Sequence, residues 1–302
     1  MSEPARRSIV VPEFFDQAEA LRAVFDDRFQ RVRSGNPETF VWDYWHVPGQ
    51  YTYLRTAGER YFPEELTKRF LAQLRDWGRE VIGCEQPTLP RLSYYVDGCV
   101  QELHADVPHG PWAYVFSLTD WEHRGFTGGE TMLIRPETLD FWRGFDPDRG
   151  LEANDLIERI PSRFNQLTVF DARIPHGVAQ VRGTNDPLDS RVVLHGWFQY
   201  PEMVVSEDLV GDRAAVALQL VLAHVARRIQ QSSSVAGLLT VRVEFGEKGR
   251  IGNTTVLTNT LVSTADDSMD SDEIVEMILD ALGDRTIDAP EGSWAILPIR
   301  LP

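Results

Sequence analysis

Cysteine is nearly absent: Cys84 and Cys99 are the only two in 302 residues. That excludes a disulfide-dense secreted scaffold. One bridge could form, but two free thiols in a reducing cytoplasm is the simpler reading. Long hydrophobic runs are lacking as well. The longest apolar helical stretch, 214–226, contains Gln219 and His224 and falls short of the ~20 apolar residues that a bilayer crossing requires. Residues 1–7 have no apolar segment behind their charges, so no signal peptide is visible. Positive charge is scarce, with 30 Lys and Arg against 46 Asp and Glu and a formal net charge of -16. Such a surface repels phosphate backbones and anionic lipid, which argues against nucleic-acid and membrane partners but leaves room for a local basic pocket. There is no internal repeat, and no low-complexity tract longer than 232–234. A soluble, cytoplasmic protein is expected.

The chain does have an ordinary globular composition, 42% hydrophobic and 25% charged, enough to bury a core without staples. The first 85 or so residues read as mostly helical. Phe14, Ala18, Leu21, Phe25 and Phe29 recur at helical spacing over 12–33, and 34–37 (Ser-Gly-Asn-Pro) stops that helix. A second helix fits 63–81, with Leu66, Phe70, Leu74 and Trp77 on one face and Pro63 in its first turn. From 89 to 201 the texture becomes β: short runs at 91–96, 112–118, 131–134, 166–170, 178–181 and 191–199 alternate with turn residues and predict a sandwich or barrel. After 201 come an amphipathic helix over 206–229 with Ser206 as N-cap, strands at 238–245 and 251–259, an acidic stretch at 266–272, a helix at 272–282 and a strand at 294–299. These changes of texture divide the chain into domains 1–203 and 204–302.

His104-Ala105-Asp106 is the first chemically suggestive feature. On a strand, residues two apart share a face, so imidazole and carboxylate converge. With one further histidine they make the 2-His-1-carboxylate set that binds iron and leaves positions open. Alone, H-x-D is a weak signal, more readily read as a turn histidine beside a solvated aspartate. His176 follows a hydrophobic strand and begins another, so it can return to the same barrel mouth. Arg191 opens the strand Arg191-Val192-Val193-Leu194-His195-Gly196-Trp197-Phe198, and a guanidinium suits a carboxylate clamp.

The stretch from about 89 to 198 resembles the Fe(II)/2-oxoglutarate-dependent oxygenases, in particular their prolyl 4-hydroxylase-like branch. The matching pieces are Tyr95-Val96-Asp97-Gly98, His104-Ala105-Asp106, Thr127-Gly128-Gly129-Glu130-Thr131, Phe164-Asn165-Gln166-Leu167 with its strand, His176-Gly177-Val178, and Arg191 followed by Gly196-Trp197-Phe198. The resemblance implies a mainly β fold with flanking helices, built on a double-stranded β-helix (jelly-roll) core, to which the ββαβ texture of the tail adds a small α+β C-terminal domain. It implies that His104, Asp106 and His176 ligate Fe(II), that Arg191 pairs with the distal carboxylate of 2-oxoglutarate, and that Tyr95 is a weaker candidate for the same carboxylate. O2 is then the other co-substrate and ascorbate an accessory reductant. One departure is the insert 183–190, which lengthens the gap from His176 to Arg191 and makes Arg182 a rival anchor. An aspartate at 106, in place of a small residue, argues against the halogenase variant.

The implied reaction is hydroxylation of an unactivated C–H bond, in a prolyl or other residue of a peptide or protein or in a small amino-acid-like metabolite, with release of succinate and CO2. The alternative is a non-catalytic cupin-like barrel that serves as scaffold for a partner-binding acidic tail. From 201 onward there are 16 acidic and 8 basic residues, a net -8 out of -16, which favours a cationic partner; the tail can also be read as a homodimer contact. It faintly resembles a TonB-type ββαβ module. Of the other histidines, His46, His109 and His123 read as loop or surface residues, His224 as structural, and His195 as facing the barrel interior because it shares strand parity with Arg191.

Overall fold

The computed structural model describes residues 7–31, 42–135, 138, 156–209, 212–232, 234–263, 270–283 and 285–301. The turn expected at 34–37, and residues 266–269 of the acidic stretch, lie outside them. The chain divides into two compact units, one formed by 8–74 and 87–199, the other by 1–7, 75–86 and 200–302.

The first unit opens with β1 (Ser8–Val11) and α1 (Ala18–Arg31), continues through β2 (Asp43–Val47), β3 (Tyr51–Ala57), the one-turn α2 (Gly58–Tyr61) and α3 (Glu64–Trp77), and then builds β4 (Arg91–Tyr95), β5 (Val100–His104), β6 (Trp112–Ser117), β7 (Thr131–Ile134), β8 (Ile157–Ile160), β9 (Gln166–Asp171), β10 (His176–Val178) and β11 (Arg191–Phe198). Three early strands correct the mostly helical reading of the first 85 residues. Their patterns hide them: four of the five residues of β2 are exposed, so no in–out alternation marks it.

All pairings in this unit are antiparallel. The strand order resolves into two four-stranded layers, β4–β11–β6–β9 and β5–β10–β7–β8. This is the expected double-stranded β-helix. β3 joins the layers, pairing β5 at Tyr51 and Thr52 and β4 from Leu54 to Ala57. The strands legible in sequence are those buried on both faces: every residue of β9, and six of the eight of β11, is buried.

An aromatic cluster holds the flanking helices against the sheet. Phe70 of α3 meets the Phe14, Phe15 and Phe116 rings at centroid separations of 6.4, 5.5 and 5.0 Å. Helix α1 starts at Ala18, later than the expected 12; Ala18, Leu21 and Phe25 are buried along the face that the helical spacing marks, and Phe14 and Phe15 are buried just before it.

In the second unit, α3 runs on into a π-helical turn, Gly78–Ile82, closed by Gly83 in the left-handed region. A Cβ at 83 would lie 2.1 Å from Thr240 Cγ2, so close packing as well as φ requires glycine there. The unit then forms β12 (Val204–Val205), α4 (Asp212–Ser232), β13 (Val235–Phe245), β14 (Ile251–Asn259), β15 (Val262–Ser263), α5 (Ser271–Gly283) and β16 (Trp294–Leu301). The sheet order is β12–β16–β13–β14, with β15 beside β13, and Leu218, Ile229, Ile274 and Ile278 of the helices close its core against Val241, Val243 and Leu297. Ser206 does not cap α4. Its Oγ accepts a hydrogen bond from Trp294 N instead (3.0 Å), and the helix starts at Asp212. Cys84 and Cys99 are free and buried. Among the described residues no helix is long and apolar enough to cross a membrane.

Phe70→Ala removes the hub of the aromatic cluster and is expected to cost ~3–5 kcal/mol. Chemical denaturation of both proteins measures it, and a loss below ~1 kcal/mol contradicts this packing.

Candidate metal centre and cavity

β5 and β10 are antiparallel neighbours with His104 directly opposite His176, so the two rings meet with centroids 4.5 Å apart. Asp106 lies two residues beyond the end of β5. Its backbone N–H donates to Ala172 O (2.8 Å), which fixes the chain as it leaves the strand. The carboxylate then lies with Oδ2 3.3 Å from His176 Nε2 and Oδ1 3.8 Å from His104 Nε2. One donor atom from each of the three residues falls within 4.8 Å of the others.

The backbone sets the imidazole tautomers. His104 Nδ1 lies 2.8 Å from Glu102 O, and His176 Nδ1 lies 2.9 Å from Ile174 O. A carbonyl only accepts, so each Nδ1 carries the proton and each Nε2 presents a lone pair to the centre. Burial is the first cause that lowers the His104 pKa and keeps that lone pair available. Burial alone would raise the Asp106 carboxyl. The neighbouring His176 imidazole, the indole N–H of Trp197 and the His104 imidazole outweigh it, and the pKa sits at about 2. The Trp197 contact, Nε1 to Oδ2 at 2.9 Å, was not foreseen from sequence, although Trp197 shares strand parity with Arg191. Nor was His109, which is exposed but stacks on Trp197 at 4.3 Å. His46 and His123 are exposed, as expected.

These residues line a cavity of about 220 Å³ that also receives Arg191, Tyr95, Thr131 and His195. Arg191 is 1% exposed. Its Nη2 donates to Thr131 Oγ1 (3.2 Å), its guanidinium carbon lies 4.6 Å from the centroid of Tyr95, and its Nε and Nη1 are buried without a hydrogen-bond partner. Thr131 pairs with Val178, two residues along β10 from His176, so the guanidinium is placed further along the strand that carries a member of the cluster. Tyr95 faces Arg191 across the β4–β11 pair and stacks on Tyr53 at 5.3 Å; burial raises its hydroxyl pKa and keeps it neutral. Arg182 is exposed, donates to Gln180 Oε1 (2.8 Å) and does not line the cavity.

His195 shares the cavity side of β11 with Arg191. Its Nε2 lies 2.8 Å from Ser93 Oγ, and its pKa is pushed down to about 3, first by burial and then by the charges of Arg191 and Arg91.

No family model and no curated protein matches the chain. Solved structures do. A Pseudomonas putida prolyl-4-hydroxylase is 15% identical, covering 64% of this chain and 91% of that one, with a TM-score of 0.39. A Burkholderia pseudomallei oxidoreductase of the 2OG-Fe(II) oxygenase family is 18% identical, with 64% and 85% covered and a TM-score of 0.40. The non-heme alpha ketoglutarate dependent epimerase SnoN, from nogalamycin biosynthesis, is 13% identical, with 64% and 77% covered and a TM-score of 0.43. The TonB-type likeness of the tail finds no support among them.

Two expectations follow. A Cβ at Gly177 would lie 2.4 Å from Gln101 O on the adjoining strand. Gly177→Ala must therefore part β10 from β5 beside His176, and it should weaken Mn(II) binding about tenfold, in the range seen when the surroundings of a ligand are disturbed. Unchanged affinity in calorimetry contradicts the strand-pairing account. For His195, the unfolded chain takes up a proton near the ordinary 6.5 and the folded protein only near 3. The unfolded state thus binds more protons between those values, and stability falls as pH falls through them. Relative to His195→Gln, the wild type should lose stability from pH 6.5 downward in urea melts; a pH-independent gap contradicts this.

Proposed function

We propose that the chain is an Fe(II)- and 2-oxoglutarate-dependent dioxygenase. It hydroxylates an unactivated C–H bond of an amino-acid-like group, in a peptide or in a small metabolite, with release of succinate and CO2. The observation that carries this reading is Arg191: a buried guanidinium with two orphaned nitrogens, facing the same cavity as two imidazoles and a carboxylate. A buried cation met by the Thr131 and Tyr95 hydroxyls and the charge of Glu130, with no carboxylate in ion-pair contact among the described residues, is unfavourable. A carboxylate accepting from its two free N–H directions removes that penalty and fixes orientation.

The donor set fits a divalent first-row metal. It offers two neutral Nε2 atoms and one ionised carboxylate, all tied by hydrogen bonds from behind, with fewer protein ligands than a closed structural site has. In this reading His104, Asp106 and His176 hold Fe(II), which when bound supplies the activation of O2 coupled to decarboxylation of 2-oxoglutarate. The chain's own part is positional. Trp197 donates to Oδ2 of Asp106, the oxygen 3.3 Å from His176 Nε2, and so orients the carboxylate with Oδ1 3.8 Å from His104 Nε2. Arg191 and Thr131 take the distal carboxylate of 2-oxoglutarate, with the Tyr95 ring beneath the guanidinium. Phe170, 4.7 Å from the His176 ring, and Tyr51, 4.8 Å from the His104 ring, wall the two imidazoles with aromatic surface.

Purified protein with Fe(II), 2-oxoglutarate and ascorbate should release succinate above a His104→Ala/Asp106→Ala control. Arg191→Ala should keep metal affinity while losing at least about tenfold in 2-oxoglutarate affinity, the scale of one or more charge-assisted hydrogen bonds. Metal binding without 2-oxoglutarate affinity in the wild type would point to another class of metal-dependent barrel. Absence of both would point to a cupin-like scaffold.

A further inference from the structure

Two arginines of the cavity have no part in the scheme above. Besides Arg191, Arg55 and Arg91 line its wall, and Asp106 is the only carboxylate among the described lining residues. The strand registers put all three arginines on one surface. Across β3, β4 and β11, Arg55 pairs with Ser93 and Ser93 with Val193, while Ala57 pairs with Arg91 and Arg91 with His195. Alternation then turns Arg55, Arg91 and Arg191 to the same side. Arg55 lies over the Trp45 ring, 3.6 Å from its centroid, and its Nε is buried without a hydrogen-bond partner. Arg91 is exposed at the cavity rim. No carboxylate of the described residues lies in ion-pair contact with either, although Asp43 pairs with Arg55 across β2 and β3 and the Tyr53 hydroxyl hydrogen-bonds with Arg55.

The charge count needs an anion. A divalent metal with Asp106 leaves one positive charge, and the 2-oxoglutarate dianion reverses it to one negative. Three arginines then leave the loaded cavity with a net two positive charges, in a chain of net charge -16. Neighbouring cations in a partly desolvated wall repel each other, and the ligand that relieves this carries anionic oxygens in the planar or trigonal arrangement that guanidinium groups bind. An internal prolyl residue of a polypeptide has no such group beside its reacting carbon.

Resting on the oxygenase reading of this cavity, we propose that the substrate is a small molecule with an anionic oxygen group, carboxylate or phosphate, held by Arg55 and Arg91 while its carbon part lies against Trp45, Tyr51 and Trp197.

The test is calorimetric titration of the full chain loaded with Zn(II), which is redox-silent, and 2-oxoglutarate. The titrants are N-acetyl L-amino acids, their N-acetyl carboxamides, phosphoserine and glycerol phosphate, serine and glycerol, and a proline-rich peptide with blocked termini. An N-acetyl amino acid should bind at least about tenfold more tightly than its N-acetyl carboxamide, or phosphoserine and glycerol phosphate more tightly than serine and glycerol, and which of the two holds identifies the anion. Arg55→Gln and Arg91→Gln should each weaken that binding about tenfold, Arg55→Lys should weaken it less, and added salt should weaken the wild type. Carboxamides binding as well as acids, the blocked peptide binding irrespective of Arg55 and Arg91, or no binding by any titrant overturns the inference. Succinate release by the Fe(II)-loaded wild type, measured in parallel, separates the two claims. Release without anion binding sinks only the substrate assignment; anion binding without release or 2-oxoglutarate affinity sinks only the oxygenase reading.

Discussion

The pairing of β5 with β10 is the constraint on which the site depends. It sets His104 against His176 in register, and the backbone bond from Asp106 to Ala172 then turns a carboxylate into the space between the two rings. Three side chains separated by up to 72 positions meet because two short strands share an edge, with Gly177 permitting the close approach. Everything chemical about the cluster follows. The Nε2 lone pairs point inward because backbone carbonyls occupy each Nδ1, and Asp106 stays ionised because imidazole and indole groups surround it.

Electrostatics divides this molecule sharply between its surface and its cavity. A chain with 16 more acidic than basic residues lines one concavity, among the described residues, with three arginines and a single carboxylate. Arg191 is too deeply buried to be solvated; it donates to Thr131 Oγ1 and interacts with the Tyr95 hydroxyl and the charge of Glu130. The same surroundings keep His195 neutral, so the wall can take up an anion without a protonation step.

Much of this was legible in the residue order, for physical reasons that also mark where legibility stopped. Strands buried on both faces announce themselves by β-branched and aromatic runs, as in 112–117, 166–171 and 191–198. Strand β5, Val-Gln-Glu-Leu-His, is polar and partly exposed, and β2 is exposed for most of its length; neither carries the period-2 signal. The grouping of 104, 106 and 176 could be foreseen from the H-x-D spacing and a returning histidine. The Trp197 bond to Asp106 could not, because it depends on where the far end of β11 lies relative to the turn after β5. Arg55 was invisible for the same reason: its face is defined only once β3 is known to join the two layers.

The most direct test of the central claim is a crystal structure of the chain grown with Mn(II) and 2-oxoglutarate. The account predicts one metal ion held by His104 Nε2, Asp106 Oδ1 and His176 Nε2, with the distal carboxylate of 2-oxoglutarate on Arg191. A metal ion bound elsewhere, or a 2-oxoglutarate whose distal carboxylate leaves the Arg191 guanidinium unpaired, would contradict it.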